Sequence, residues 1–453
     1  MNGLDVLMAR RLSRGARRLL IAWLGLAVTA MLISLVYALL LIFSRSGLSA
    51  LPGDDAFHVA LVSHVNFSLY VWFMSIAALI WNCVLADRRA TRWPDWLALA
   101  LAAGGGALLA VAPWLGAGAA LMSDYLPVLD TPVFHAGLAL FTLGVSLVAL
   151  RMPWSAAVIR SRQGIAVIGG VARASALIHL LAMLTLVSCA MRLPAGLDPE
   201  SRMRQLFWGA GHLLQLHHLL LLLFCWWLLS PLSTLSARAG ERLAWLATAL
   251  LALAFVGTLI TLVPSLAVER SAAYTWIMEA GGTAGIAWAL VGVRWRSTRD
   301  GGFVGVRGLA GLLFAAGCLA GFLIRRDDAM VPAHYHGIIG AVTLTYMYFV
   351  LRLLERLGYR SAATRGQGLQ GLAYALGMLL MMAGLVMADV PRKMVESDMP
   401  AETHEIWGRA LTGAGGCLAL LGSLLFVMLV CRAFLAMASA EPVTLDEANG
   451  QVY

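Results

Sequence analysis

Twelve long apolar runs, each about as long as a bilayer crossing, leave this chain few ways to fold. They lie near 18–43, 58–85, 96–116, 132–150, 167–191, 205–230, 243–263, 272–293, 305–324, 331–354, 368–388 and 410–435. A spanning helix needs roughly 20 consecutive apolar residues, and in lipid every backbone polar group must be satisfied within the segment itself. Composition closes off the alternatives. Of 453 residues, 60% are hydrophobic and 13% charged, with a mean hydropathy of +0.81. Soluble domains keep about a quarter of their residues charged. A soluble enzyme, a nucleic-acid-binding protein and a secreted disulfide scaffold are excluded. The expected fold is all-α: one polytopic twelve-helix transmembrane domain over 1–436, embedded in the lipid bilayer, with a flexible tail at 437–453.

The net charge of +9 is distributed as a topology signal. Arg10, Arg11, Arg14, Arg17 and Arg18 precede the first run; Arg88, Arg89 and Arg92 follow the second; Arg151, Arg160 and Arg162 follow the fourth. Arg238 with Arg242, then Arg294, Arg296 and Arg299, then Arg352, Arg356, Arg360 and Arg365 continue the alternation. The intervening loops carry Asp54, Asp55, Asp124, Asp130 and the acidic run Glu396, Asp398, Glu402, Glu405. Cytoplasmic loops collect arginine and lysine, so both termini are expected on the cytoplasmic side. The first run is too long for a cleaved signal peptide and reads as an anchor. The six cysteines form no CxxC pair and no CxxCH haem-attachment site, and all lie in apolar runs, where cysteine acts as a small buried hydrophobe.

The ten histidines are the chemistry-bearing residues. In the expected topology each even-numbered helix enters from the outer face. His58 and His64 then sit early in the second helix, His135 in the fourth, and His212, His217 and His218 in the first half of the sixth. His334 and His336 open the tenth, and His404 lies in the last outer loop. Nine histidines thus share the outer half of the membrane, and His179 alone lies deeper. Ionisable residues inside a bilayer are costly and mark functional sites, although any single one can be a hydrogen-bonded packing residue. Neutral imidazole is a common ligand of haem iron and copper. His334 and His336, two residues apart, point about 200° from one another around a helix. They can serve two separate haems but not chelate one ion, and His64 stands at the depth needed to complete an axial pair with His336.

Three motifs resemble the twelve-helix catalytic subunit of the haem–copper oxidase superfamily: Ser63-His64-Val65-Asn66, Trp208-Gly209-Ala210-Gly211-His212 and Ala333-His334-Tyr335-His336-Gly337. Their forms look closest to the nitric-oxide-reductase and C-type oxidase branches, and the order of motifs matches over nearly the whole chain. The resemblance implies two haems, expected to be b-type. His64 and His336 would be the axial pair of a low-spin haem, His334 the proximal ligand of a high-spin haem, and His212 a ligand of a neighbouring copper or non-haem iron. Arg392 and Lys393 fall where the family keeps cations near haem propionates. The family's setting implies a respiratory complex in the bacterial inner membrane, with electrons from a membrane-anchored cytochrome c or a quinol.

The pattern departs from the family at the seventh helix, where Leu243–Ser271 contains no histidine. Nor does the sixth helix offer the family's tyrosine or glutamate near the second metal: Leu214 and Leu216 stand there. On a regular helix His217 and His218 lie about 140° and 240° from His212, so only a π-bulge could bring either round to its face. Lys393 is the only lysine, so a lysine proton pathway has no counterpart. Glu279 with Thr275, Thr283, Thr343, Thr345, Tyr346 and Tyr348 is a candidate polar track. Glycine groups at Gly104–Gly106 and Gly413–Gly416 read as helix-packing surfaces. Three functions remain open: reduction of oxygen or nitric oxide at a haem–metal centre, electron transfer by a dihaem cytochrome b without the second metal, and a transporter or haem-handling protein.

Overall fold

The computed structural model describes residues 2–9, 12–45, 55–86, 92–116, 118–153, 163–230, 234–263, 267–292, 301–325, 329–359, 364–389 and 403–436. Arg10, Arg11, Asp54, Arg88, Arg89, Arg160, Arg162, Arg294, Arg296, Arg299, Arg360, Arg392, Lys393, Glu396, Asp398, Glu402 and the tail 437–453 lie outside the described residues. The described chain is an all-α bundle with one two-stranded hairpin. A short helix α1 (Gly3–Met8) precedes α2 (Arg14–Arg45). There follow α3 (Ala56–Leu85), α4 (Trp93–Val111), α5 (Pro132–Arg151), α6 (Gln163–Ala190) and α7 (Pro199–Leu228). The remainder are α8 (Thr234–Ile260), α9 (Ala267–Gly292), α10 (Gly301–Leu323), α11 (Met330–Arg356), α12 (Thr364–Met387) and α13 (Thr403–Ala436).

Eleven of these helices are long and apolar enough to cross a membrane. The exception among the long helices is α9, which is 26 residues long but carries Glu269, Arg270 and Glu279. Several helices begin well before the apolar runs that announce them. α7 starts at Pro199, where Asp198 caps the Ser201 amide at 2.9 Å. That backbone bond, with the Ser201 hydroxyl, holds the Asp198 carboxyl below its usual range. Polar first turns remain helical once capped, so hydropathy alone shortens them.

Neighbouring helices approach closely where glycine removes the side chain. A Cβ on Gly415 would lie 2.6 Å from the Gly377 carbonyl, and one on Gly317 would lie 2.7 Å from the Ile338 amide. Gly105 meets the α5 backbone at Phe141 and Gly137 in the same way, whereas Gly104 faces open space. The glycine groups therefore do form packing surfaces, through Gly105 and Gly415 rather than every member. At one end of the bundle α1 is tied to α11 by the Asp5–Arg356 ion pair at 2.7 Å, and Arg17 donates to the Leu357 carbonyl at 2.7 Å. Arg151 pairs with Asp95 at this end too.

At the opposite end lies the α4–α5 connection, with β1 (Ala120–Leu121) paired antiparallel to β2 (Val128–Leu129). This hairpin folds inward: the Pro127 carbonyl accepts from the Asn66 side chain at 2.8 Å. Asn66 itself opens a π-helical stretch, Asn66–Val71, in the middle of α3, where the Trp72 amide reaches back to the Phe67 carbonyl. All six cysteines are free thiols; Cys83 and Cys225 are buried as expected, but Cys417 and Cys431 are exposed.

Candidate functional site

One cavity of about 1960 Å³ opens among α2, α3, α5, α6, α7, the hairpin and α9 to α13. That is about twice the upper end of ordinary small-molecule pockets, which run to about 1,000 Å³. His64, His212, His334 and His336 all line it. The structure thus brings together the four predicted ligand residues it describes, from three helices. Arg392 and Lys393 lie outside the described residues.

Each of these rings is aimed by a carbonyl. His64 Nδ1 donates to the Ser34 carbonyl at 3.0 Å, with the Ser34 hydroxyl at 3.2 Å. His334 Nδ1 donates across to the Gly317 carbonyl of α10 at 2.8 Å, and His336 Nδ1 to the Pro332 carbonyl of its own helix at 2.6 Å. The ring of His334 lies against Gly321, where any Cβ would come within 2.6 Å of Nδ1. His212 Nδ1 donates to the Trp208 carbonyl at 2.8 Å. A backbone acceptor at Nδ1 fixes the tautomer and presents Nε2, which is how metal-ligating histidines are commonly held. The cavity lining is mostly apolar, with Phe73, Leu138, Phe314 and Met378 among its members. Donor set and cavity size both suit haem.

The second metal is less well provided for. Among the described residues no three His, Cys, Asp or Glu side chains converge on a point that could hold a metal ion. The Tyr125 hydroxyl instead sits 2.9 Å from His212 Nδ1 and 3.0 Å from its Nε2. Tyr125 comes from the hairpin and packs against Gly211, where a Cβ would overlap its ring. No periodicity points to it; the only signal is a tyrosine in the Asp-bearing connection between α4 and α5. α7 is a regular α-helix throughout its length, and the π-turn lies on α3 instead. His218 nevertheless lines the cavity, with its Nδ1 3.5 Å from the Tyr346 hydroxyl, whereas His217 does not line it. His218 reaches the cavity on the stripe that also carries Gly211, seven residues before it, and needs no bulge.

The polar track breaks at its acidic member. Thr275 and Thr343 line the cavity, but Glu279 and Thr283 are exposed on the outer face of α9. Thr345 is taken up by the Trp226 indole at 2.9 Å. His58 stands at the cavity mouth against Asp55 at 2.5 Å, and His404 is exposed.

No protein-family model matches the chain. It is similar to an uncharacterised protein of Aquifex aeolicus (strain VF5), 28% identical over 349 residues, covering 74% of this chain and 85% of that one. An uncharacterised protein of Rickettsia prowazekii (strain Madrid E) is 24% identical over 489 residues, covering 90% and 94%.

Proposed function

We propose that the chain is the haem-bearing, twelve-span subunit of a membrane oxidoreductase, with both termini cytoplasmic, in a bacterial inner membrane. In this reading α9 is the twelfth span. His64 and His336 would hold one haem, and His334 would hold a second. The observation that carries the reading is that four carbonyl-aimed imidazoles line one large, mostly apolar cavity. A six-coordinate haem passes single electrons, and a haem with an open axial position binds a diatomic gas. The chain's own contribution is to fix ring orientation through Ser34 and Gly317 and to exclude water with the apolar walls. The donor is a membrane-anchored cytochrome c or a quinol.

Two versions differ at His212. In one, a metal beside the open haem makes the site an oxygen or nitric-oxide reductase. In the other, the chain is a dihaem electron-transfer subunit, favoured by the Tyr125 hydroxyl against both ring nitrogens of His212 and by the lack of converging metal ligands among the described residues.

Haem extraction with oxidised and reduced optical spectra of the purified protein tests the proposal. Two b-type haems per chain are expected. His64→Ala removes one haem and the low-spin spectrum while leaving the other. Absence of haem in the wild type, or an unchanged spectrum in the variant, overturns the proposal. A carbon-monoxide shift of the reduced wild type selects the gas-binding version; its absence selects electron transfer.

A further inference from the structure

A second group of imidazoles lies apart from the cavity. His179 on α6 and His217 on α7 are fully buried, and neither belongs to the cavity wall. In each ring one nitrogen is engaged. His217 Nδ1 donates to the Ser175 carbonyl at 2.9 Å, and His179 Nε2 meets the Ser146 hydroxyl at 3.0 Å. The other two nitrogens, His217 Nε2 and His179 Nδ1, are buried with no hydrogen-bond partner among the described residues. A buried polar atom left unsatisfied costs about 1–3 kcal/mol, so a partner that satisfies both nitrogens is favoured.

The two rings are near neighbours, tilted 56° to one another. Their centroids are 6.0 Å apart. With metal–nitrogen bonds of about 2.0 Å and ring radii of about 1.1 Å, two imidazoles opposed across one ion have centres about 6 Å apart. Trp81 flanks both rings, its ring centroid 5.6 Å from His179 and 5.5 Å from His217. The indole N–H is already given to the Ser175 hydroxyl at 2.9 Å, so Trp81 supplies neither nitrogen with a donor. What it presents is an aromatic surface, which favours a cation within about 6 Å. His218, with its ring 4.8 Å from that of His217, meets the Tyr346 hydroxyl and faces the cavity instead.

The chemistry of the pair narrows the occupant. Two neutral nitrogens are offered, and no hydrogen bond or ion pair among the described residues brings a carboxylate to either ring. A divalent ion would leave two uncompensated charges in a dry interior, which is severely unfavourable. A monovalent, soft ion content with two ligands fits better, and imidazole suits copper. We propose that His179 Nδ1 and His217 Nε2 bind one Cu(I) ion, with Trp81 against its side and Ser146 and Ser175 orienting the ligands. This site is separate from His212 and does not depend on the haem reading.

The test loads the purified full-length protein anaerobically with Cu(I) in the presence of a reductant, removes loose metal and measures copper per chain by mass spectrometry. His179→Leu and His217→Leu each hold one copper fewer than the wild type. His217→Met matches leucine in size but offers a thioether that Cu(I) accepts, and it keeps the ion. X-ray absorption of the wild type shows Cu(I) with two nitrogen neighbours. Equal copper in wild type and His217→Leu, loss of the ion only with His212→Leu, or a copper spectrum with three or more ligands overturns the proposal. A wild type that takes up no copper overturns it too and leaves water as the occupant. Where the substitutions disturb folding, the wild-type spectrum decides alone. Haem content is not the readout, so failure here and failure of the haem proposal are told apart.

Discussion

Three helices differ from the rest of the bundle. The apolar segments of α3, α7 and α11 are 78%, 72% and 83% buried, while those of the other eight spans are 39–56% buried. The same three carry His64, His212, His217, His218, His334 and His336. Lipid offers no hydrogen-bond partner to a polar side chain, so helices bearing imidazoles, amides and hydroxyls are drawn to the centre, and the more uniformly apolar ones face the acyl chains. In water the sorting runs the other way. The comparison also explains how each class is held. The central helices interlock through large side chains such as Trp81, Phe224 and Phe349. The peripheral pairs α4–α5 and α12–α13 rely on glycine and backbone proximity, as does the seat of α10 on α11 at Gly317 and Gly337, because lipid tails are as apolar as leucine and give no solvent-driven pull between helices.

The largest expected contrast lies between side chains of the two classes. Phe349 on α11 is fully buried, and Phe349→Ala leaves a cavity that its neighbours cannot fill, costing about 3–5 kcal/mol. Leu184 on α6 is 53% exposed, and in Leu184→Ala lipid replaces the lost methyls, so the change stays within about 0.5 kcal/mol. Denaturant or thermal unfolding in detergent measures both. Equal losses at the two sites would abolish the distinction between central and peripheral helices.

Much of this arrangement is legible in the amino-acid sequence, for identifiable reasons. The apolar runs locate twelve long helices because lipid enforces the pattern over 20 or more residues at a time. His64, His212, His334 and His336 reach one cavity because their places on the runs already set their depth. The orienting groups are not legible. Ser34, Gly317 and Tyr125 come from other segments, and carbonyls carry no sequence signal. The π-turn after His64 is likewise silent, since Asn66–Val71 has no proline or glycine to mark it. Glu279 misleads in the opposite sense. An acidic residue inside an apolar run is expected to face inward, yet it lies on the exposed face of α9, the one long helix that fails the test of apolarity.

The peripheral mode of packing is tested by two adjacent glycines on α4. Gly105→Ala pushes a methyl into the α5 backbone at Phe141 and Gly137. The helices must separate, at a cost of about 1–3 kcal/mol. Gly104→Ala meets nothing within 4 Å and gains helix propensity of up to about 1 kcal/mol. Opposite signs at neighbouring positions, read from unfolding midpoints, would place the stabilisation of the α4–α5 pair in backbone contact. Two small changes of the same sign would mean that the pair is held elsewhere.

The smallest expected effect sits where the two classes meet, at the hairpin. Tyr125 belongs to the connection between two peripheral helices, but its hydroxyl bonds to His212 of a central one. Tyr125→Phe keeps the ring packed on Gly211 and removes the hydroxyl with its bond to His212, so stability falls by about 0.5–1.5 kcal/mol. The same substitution takes the hydroxyl away from the ring nitrogens of His212. If His212 serves as a metal ligand, losing the competing hydroxyl raises metal uptake at that position, measured as copper or iron per chain against His212→Leu. If Tyr125 is instead the resident partner of His212 in a dihaem electron-transfer protein, metal content does not change and only the unfolding midpoint moves. One oxygen atom thereby separates a central helix that keeps a vacant ligand from one whose ligand the periphery has already taken.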